Sequence, residues 1–145
     1  MSPLENNQVK ILFVCYGNIC RSPMAEGIAR KRLGGRAEVA SAGVGAVGGP
    51  AAEEARLVMK LVYKEDISGH EAKNFSSYQH RDYDYIIAMD FLIYNSLKEI
   101  WSVPEEKIFG WDIEDPLGLD YDAFKETALK IERRLDQFLL GQGLD

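Results

Sequence analysis

The sequence predicts an α/β fold: a single-domain, three-layer sandwich with a four-stranded parallel sheet in the order 2-1-3-4 and helices on both faces. Three observations carry this. Continuous apolar runs such as Val9 to Val14 read as parallel strands covered on both sides. Segments with helical apolar spacing alternate with the strand-like runs in the order βαβαβαβα, which right-handed crossovers fold into one parallel sheet. The length, 145 residues, suits one such domain (1–145) with a sizeable core.

Each element has its own signals. After Val14, Ser22 is a natural N-cap and Pro23 fits the first helical position, and Met24, Ala25, Ile28, Ala29 and Leu33 mark the buried stripe. Gly34-Gly35 ends that helix. Ala37 to Ala42 is a short second strand, followed by a glycine-rich loop from Gly43 to Gly49. Pro50 opens a second helix with Leu57, Val58, Leu61 and Val62 as its apolar face. Residues 66–81 are polar and irregular, with a short helix near Ser76. Tyr83 to Met89 is the third strand, and Asp90 caps a helix reaching about Ile100. Lys107 to Trp111 is the fourth strand, and the loop from Asp112 to Asp120 leads to a helix striped by Phe124, Ala128, Ile131, Leu135 and Phe138. Met1 to Gln8 reads as a loose tail with no secretory pattern.

Composition excludes several functions. No apolar stretch is long enough for a membrane span. Lys and Arg number 17 against 23 Asp and Glu, and the resulting −6 argues against nucleic acid or an anionic membrane as partner. An anionic substrate must therefore be attracted by local donors. The only two cysteines, Cys15 and Cys20, share one loop rather than stapling distant segments, which points to a reduced, cytoplasmic protein that uses cysteine for its reactivity.

That loop is the most informative part of the chain. Cys15 leaves the end of the first strand, Arg21 follows six positions later, and Ser22-Pro23 opens a helix. The residues between them are enough chain to curl around one phosphate-sized anion. Gly17 offers torsions closed to other residues, and Asn18 is the next most tolerant of the left-handed region. The backbone N–H groups from Tyr16 through Ile19 and Cys20 to Ser22 can then form a nest at a helix N-terminus, with the Arg21 fork gripping two oxygens. A helix N-terminus and a nearby cation also favour the thiolate, so Cys15 reads as a nucleophile that Ser22 can support. Ligands of parallel sheets bind at strand carboxyl ends, where Ser41 and Asp90 follow the second and third strands. An acid must protonate the departing oxygen. Asp112, Glu114 and Asp115 are the carboxyls of the last loop, although Asp115-Pro116 is equally a common turn starter.

These residues resemble the low-molecular-weight protein tyrosine phosphatase family over nearly the whole chain. The likeness rests on Cys15-x5-Arg21-Ser22-Pro23, Ser41-Ala42-Gly43, His70-x-Ala72-Lys73, Asp84-Tyr85-Ile86-Ile87-x-Met89-Asp90 and Asp115-Pro116. It implies a two-step hydrolysis of phosphate monoesters without metal or cofactor, acting on phosphorylated protein, chiefly phosphotyrosine. Cys15 would attack phosphorus, Arg21 and the loop amides would hold the oxygens, and Asp115 would serve as acid and then as base. The resemblance also implies a supporting network of Asn18, Ser22, Ser41 and His70. It gives Cys20 a reversible disulfide with the nucleophile, for which a small packing residue is the alternative. Many members carry aromatic residues after Ser-Ala-Gly and after Asp-Pro. Here the first loop has none and Leu117-Gly118 follow Asp115-Pro116, so Tyr16 beside the nucleophile is the ring expected to meet the substrate.

Four alternatives accompany that reading. A related class removes phosphate from arginine and carries threonine where this chain has Ile19. Arsenate reductases sharing the loop need a third thiol to relay a disulfide, which a chain with two cysteines lacks. A non-catalytic phosphate-binding module on a flavodoxin-like sheet would need neither Cys15 nor Asp115. Zinc held by Cys15, Cys20, His70 and His80 fails on ligand spacing.

Overall fold

The computed structural model describes residues 8–145. The tail expected over Met1 to Gln8 therefore lies outside the described residues except for Gln8, whose amide donates to the Gly35 carbonyl at 3.2 Å.

Strand β1 (Val9–Cys15) is the spine of the molecule, because its apolar side chains are buried on both faces. It pairs in parallel with β2 (Ala37–Gly43) from Val9↔Ala37 to Cys15↔Gly43. On its other edge it pairs with β3 (Tyr85–Ala88) from Ile11↔Tyr85 to Val14↔Ala88. Strand β4 (Ile108–Gly110) joins β3, which gives the expected order 2-1-3-4. This register brings Cys15, Gly43, Ala88 and Gly110 to one edge of the sheet, where the connecting loops converge.

Alternation along the strands divides the core. Ile11, Phe13 and Ile87 point to a face covered by α1 (Arg21–Leu33), α2 (Glu53–Val58) and α4 (Tyr121–Gly141). Leu12, Val14, Ile86 and Ala88 point to the other face, covered by α3 (Phe91–Glu99) and by Phe75, Tyr83 and Val103. The predicted stripe of α4 is buried throughout, and Asp120 caps that helix by accepting from the Ala123 N–H at 3.0 Å.

Three sequence expectations need correction. Ser22 does not cap α1: Cys20 holds that position without a side-chain bond, and Ser22 lies inside the first turn with its hydroxyl turned to the sulfur. Pro23 is accordingly the third helical residue, still within the stretch where no backbone donor is needed. The buried side of the second helix is Ala55, Val58, Met59 and Tyr63, whereas Leu57 and Leu61 face solvent. A wide π turn from Met59 to Tyr63 causes part of this shift by rotating Tyr63 inward beside the half-buried Val62. There the Tyr63 hydroxyl donates to Glu132 Oε1 at 2.9 Å, and burial raises its pKa above the ordinary tyrosine value. The third and fourth strands are also shorter than predicted. Backbone pairing still continues past their ends, with the Asp84 N–H donating to the Lys10 carbonyl and the Met89 N–H to the Val14 carbonyl at 2.9 Å each. Side chains add to it: Asp84 Oδ2 accepts from the Lys10 N–H at 2.9 Å, and Lys107 Nζ donates to the carbonyls of Tyr83 at 2.7 Å and His80 at 3.0 Å.

Candidate active site

The loop leaving β1 turns sharply at Asn18, whose φ of 58° is left-handed. Gly17 does not take that conformation, so the torsional role expected of it belongs to Asn18. The turn is buttressed by Gly43 at the end of β2. A Cβ there would lie 2.4 Å from the Tyr16 carbonyl oxygen and 2.8 Å from the Asn18 nitrogen, so only glycine allows β2 to come this close.

Asn18 is wholly buried, and its amide is saturated. Nδ2 donates to Ser22 Oγ at 2.7 Å and to Ser41 Oγ at 2.9 Å, and Oδ1 accepts from the Lys73 N–H at 2.9 Å. His70 Nε2 stands 2.7 Å from the Asn18 carbonyl oxygen, and since a carbonyl only accepts, that nitrogen carries the hydrogen. Ser41 lies inside β2 rather than after it, yet its hydroxyl reaches this network and donates onward to Glu26 Oε1 at 2.5 Å. Glu26 also pairs with Arg30. Sequence reading missed Glu26, because a glutamate four residues before an arginine in a helix looks like a solvated pair.

These contacts set the surroundings of the sulfur. Cys15 Sγ accepts from the Asn18 N–H at 3.2 Å and lies 2.9 Å from Ser22 Oγ. Ser22 Oγ already accepts from Asn18, so its own proton is available, and the sulfur is closer to it than the Ala42 carbonyl at 3.4 Å. Two donors thus converge on Sγ. The N–H groups of Gly17, Ile19 and Cys20 make no hydrogen bond to another described residue. Groups of this kind are rarely left unpaired, so they fit an anion.

Arg21 is 3% exposed, and its Nη1 is fully engaged, donating to Asp90 Oδ2 at 2.6 Å and to the Ile113 carbonyl at 2.8 Å. Nε and Nη2 remain for a ligand. Asp90 does two things: Oδ1 caps α3 by accepting from the Ile93 N–H at 2.9 Å, while Oδ2 orients the guanidinium. Asp115 Oδ2 lies 3.9 Å from Arg21 Nη2, and Oδ1 accepts from the Leu117 N–H at 3.1 Å. The Asp-Pro segment is therefore both a turn and a carboxyl facing the site. Asp112 instead pairs outward with Arg134 and Lys130.

Cys15, Tyr16, Gly17, Ile19, Cys20, Arg21, Asp115 and Leu117 line one cavity of about 50 Å³. Its size suits a small oxyanion and is far below the roughly 300–1,000 Å³ that encloses a drug-sized ligand. The Cys20 thiol in its wall is pushed up to about 12 by burial first, and then by the charges of Asp115 and Cys15. Among the described residues no three His, Cys, Asp or Glu side chains are grouped to hold a metal, and His80 lies away from the loop, bonding Lys107 through its carbonyl.

A loop that closes an oxyanion-sized cavity over a sulfur, with an arginine and a carboxyl in its lining, defines a cysteine-dependent phosphoric monoester hydrolase. The profile of the family described as Low molecular weight phosphotyrosine protein phosphatase matches residues 10–145, and this chain belongs to that family. The low molecular weight protein-tyrosine-phosphatase Wzb of Salmonella typhi is 36% identical over 136 residues, covering 89% of this chain and 91% of that protein. Among solved structures, Vibrio vulnificus Wzb in complex with benzylphosphonate superposes with a TM-score of 0.82 at 30% identity, covering 90% of this chain and 96% of that one. The YwlE arginine phosphatase of Geobacillus stearothermophilus superposes with a TM-score of 0.80 at 29% identity, covering 94% and 96%.

Proposed function

We propose that this protein removes phosphate from phosphotyrosine in protein substrates through a phosphocysteine formed on Cys15. The observation that carries the reading is the convergence of the Asn18 N–H and Ser22 hydroxyl on Cys15 Sγ, beneath a cavity rimmed by Arg21 and Asp115.

The substrate dianion settles on the N–H groups of the loop and on Nε and Nη2 of Arg21, which are fixed before it arrives. The Cys15 thiolate attacks phosphorus; an S–P bond forms as the bond to the leaving oxygen breaks. Asp115 gives its proton to that oxygen, which departs as a neutral phenol. The Asp115 carboxylate then takes a proton from water, whose oxygen attacks phosphorus. The S–P bond breaks, inorganic phosphate leaves, and the thiolate is restored with the Ser22 hydroxyl donating to it. Asp115 regains its acid form for the next cycle.

Wzb in Vibrio vulnificus binds benzylphosphonate, an aryl group on a phosphate-like head, which supports an aromatic ester as substrate. The fold is shared with an arginine phosphatase, but bulky apolar Ile19 lines the cavity here, which favours a phenolic leaving group over a charged guanidinium. Two cysteines committed to one loop fit a reducing compartment, and no helix among the described residues is long and apolar enough to cross a membrane.

The test is hydrolysis of para-nitrophenyl phosphate in the presence of a chelator, followed by phosphotyrosine and phosphoarginine peptides. The wild type is expected to turn over the aryl ester and the phosphotyrosine peptide, and Cys15→Ser to be inactive. Turnover that survives loss of the sulfur contradicts the mechanism, and preference for phosphoarginine contradicts the substrate.

A further inference from the structure

The cavity encloses the phosphoryl head and little else, so whatever the phosphate is attached to must lie at the mouth. The side chains available there are Tyr16 and Leu117, 62% and 57% exposed, with the carboxyl of Asp115 on the same loop as Leu117.

Tyr16 is held in a specific way. Its carbonyl accepts from the Gly45 N–H at 2.9 Å, and the preceding Cys15 carbonyl accepts from the Val44 N–H at 3.1 Å, so the loop after β2 is fastened along the nucleophile. The phenol ring then lies on Gly45. A Cβ at that position would fall 2.5 Å from Cζ and 2.8 Å from Oη of Tyr16. Gly45 is not in the left-handed region, so its backbone does not require glycine. What requires it is the room taken by the ring. Opposite, the Leu117 N–H donates to Asp115 Oδ1, which ties that side of the mouth to the acid.

We propose that the Tyr16 ring, seated on Gly45, is the specificity residue of the leaving-group slot and selects aromatic over aliphatic phosphate esters. The inference rests on the phosphatase reading above. A phenyl ester with its phosphorus over Cys15 places its ring between Tyr16 and Leu117, where edge or offset contact with the phenol adds to the burial of apolar surface. An aliphatic ester forfeits the ring contact and leaves Tyr16 facing water. Inorganic phosphate, having no such group, is indifferent to it.

Calorimetric titration with benzylphosphonate and with inorganic phosphate separates the two claims. In Tyr16→Ala, benzylphosphonate affinity is expected to fall about three- to tenfold, the equivalent of one aromatic contact. Phosphate affinity should stay within about twofold, which also reports an intact fold. Tyr16→Phe retains both affinities, because the face and not the hydroxyl makes the contact. Gly45→Ala displaces the ring and weakens benzylphosphonate about threefold, again sparing phosphate. Equal weakening of both ligands in Tyr16→Ala, or unchanged benzylphosphonate binding in either that variant or Gly45→Ala, overturns the inference. A wild type that binds neither anion overturns the phosphatase reading beneath it.

Discussion

Between Cys15 and Ser22 the polar side chains behind the anion cavity are clamped: Asn18 and Ser22 are wholly buried, and Arg21 is pinned by Asp90 and the Ile113 carbonyl. In the loop from Trp111 to Leu119, by contrast, the carboxyl of Asp115 is 45% exposed and accepts a single hydrogen bond, from the Leu117 N–H. The difference suits the two tasks proposed for the loops. Holding a dianion is cheapest when donors are already in place, so that no reorganisation accompanies the reaction. Delivering a proton and taking one back from water requires a group that solvent can reach. One loop is therefore built as part of the core and the other as a rim.

Experiments that perturb each loop in turn can break or sharpen that comparison. The largest contrast lies within the clamped loop, between its two thiols. Both are buried, but Cys20 is pushed up to about 12, so at pH 8 roughly one molecule in ten thousand carries it as thiolate. Iodoacetate at pH 8 is expected to label Cys15 and spare Cys20 by fragment-ion mapping, with Cys20 labelling rising only as pH climbs toward 12. Equal labelling at pH 8 breaks the distinction. Next, Arg21→Lys keeps the charge and removes the fork, and should cost about a thousandfold in kcat/KM. Asp115→Asn should cost about a hundredfold in kcat/KM, which reports phosphoryl transfer alone, on phenyl phosphate and clearly less on para-nitrophenyl phosphate, whose better leaving group needs less protonation. An equal loss on both esters argues against Asp115 as the acid. Asn18→Gly keeps the left-handed backbone and deletes only the amide. Chemical denaturation should show a stability loss of about 2–3 kcal/mol, because the Lys73 N–H and two hydroxyls lose their partner. Asp112→Asn, on the outward side of the rim, should leave kcat/KM within about twofold.

What the sequence revealed divides along similar lines. Strand order and the α4 stripe were legible because apolar periodicity reports burial directly. Cys15 and Arg21 were legible because a cysteine, Gly-Asn, an arginine and Ser-Pro rarely meet at a strand-to-helix turn, whereas Asp115 could be told from a turn starter only through the family resemblance. The structure does bring those three to one cavity. Ser22 was misread as a cap because Ser-Pro has the same pattern whether the hydroxyl bonds a backbone N–H or a sulfur. Leu61 looked inward because helical spacing presumes α geometry, which the π turn from Met59 interrupts, whereas Leu57 lies before that turn on the exposed side of a regular helix that buries Ala55 and Val58 instead. The left-handed turn fell to Asn18 rather than Gly17, because both residues tolerate that region and only coordinates tell which one uses it. Asp90 was recognised as a cap, but its second oxygen on Arg21 depends on two strands meeting in space. Glu26 left no sequence signal, since its partner Ser41 lies on another element.

The most direct test of the account is to find where the phosphoryl group resides in mid-reaction. In Asp115→Asn, para-nitrophenyl phosphate can still transfer its phosphoryl group, because its leaving group departs with little help, but no carboxylate is left to activate water for release. Rapid acid quench and mass spectrometry should then show one phosphoryl group on Cys15. A phosphoryl group on any other residue, or full turnover in that variant with none trapped, would contradict it.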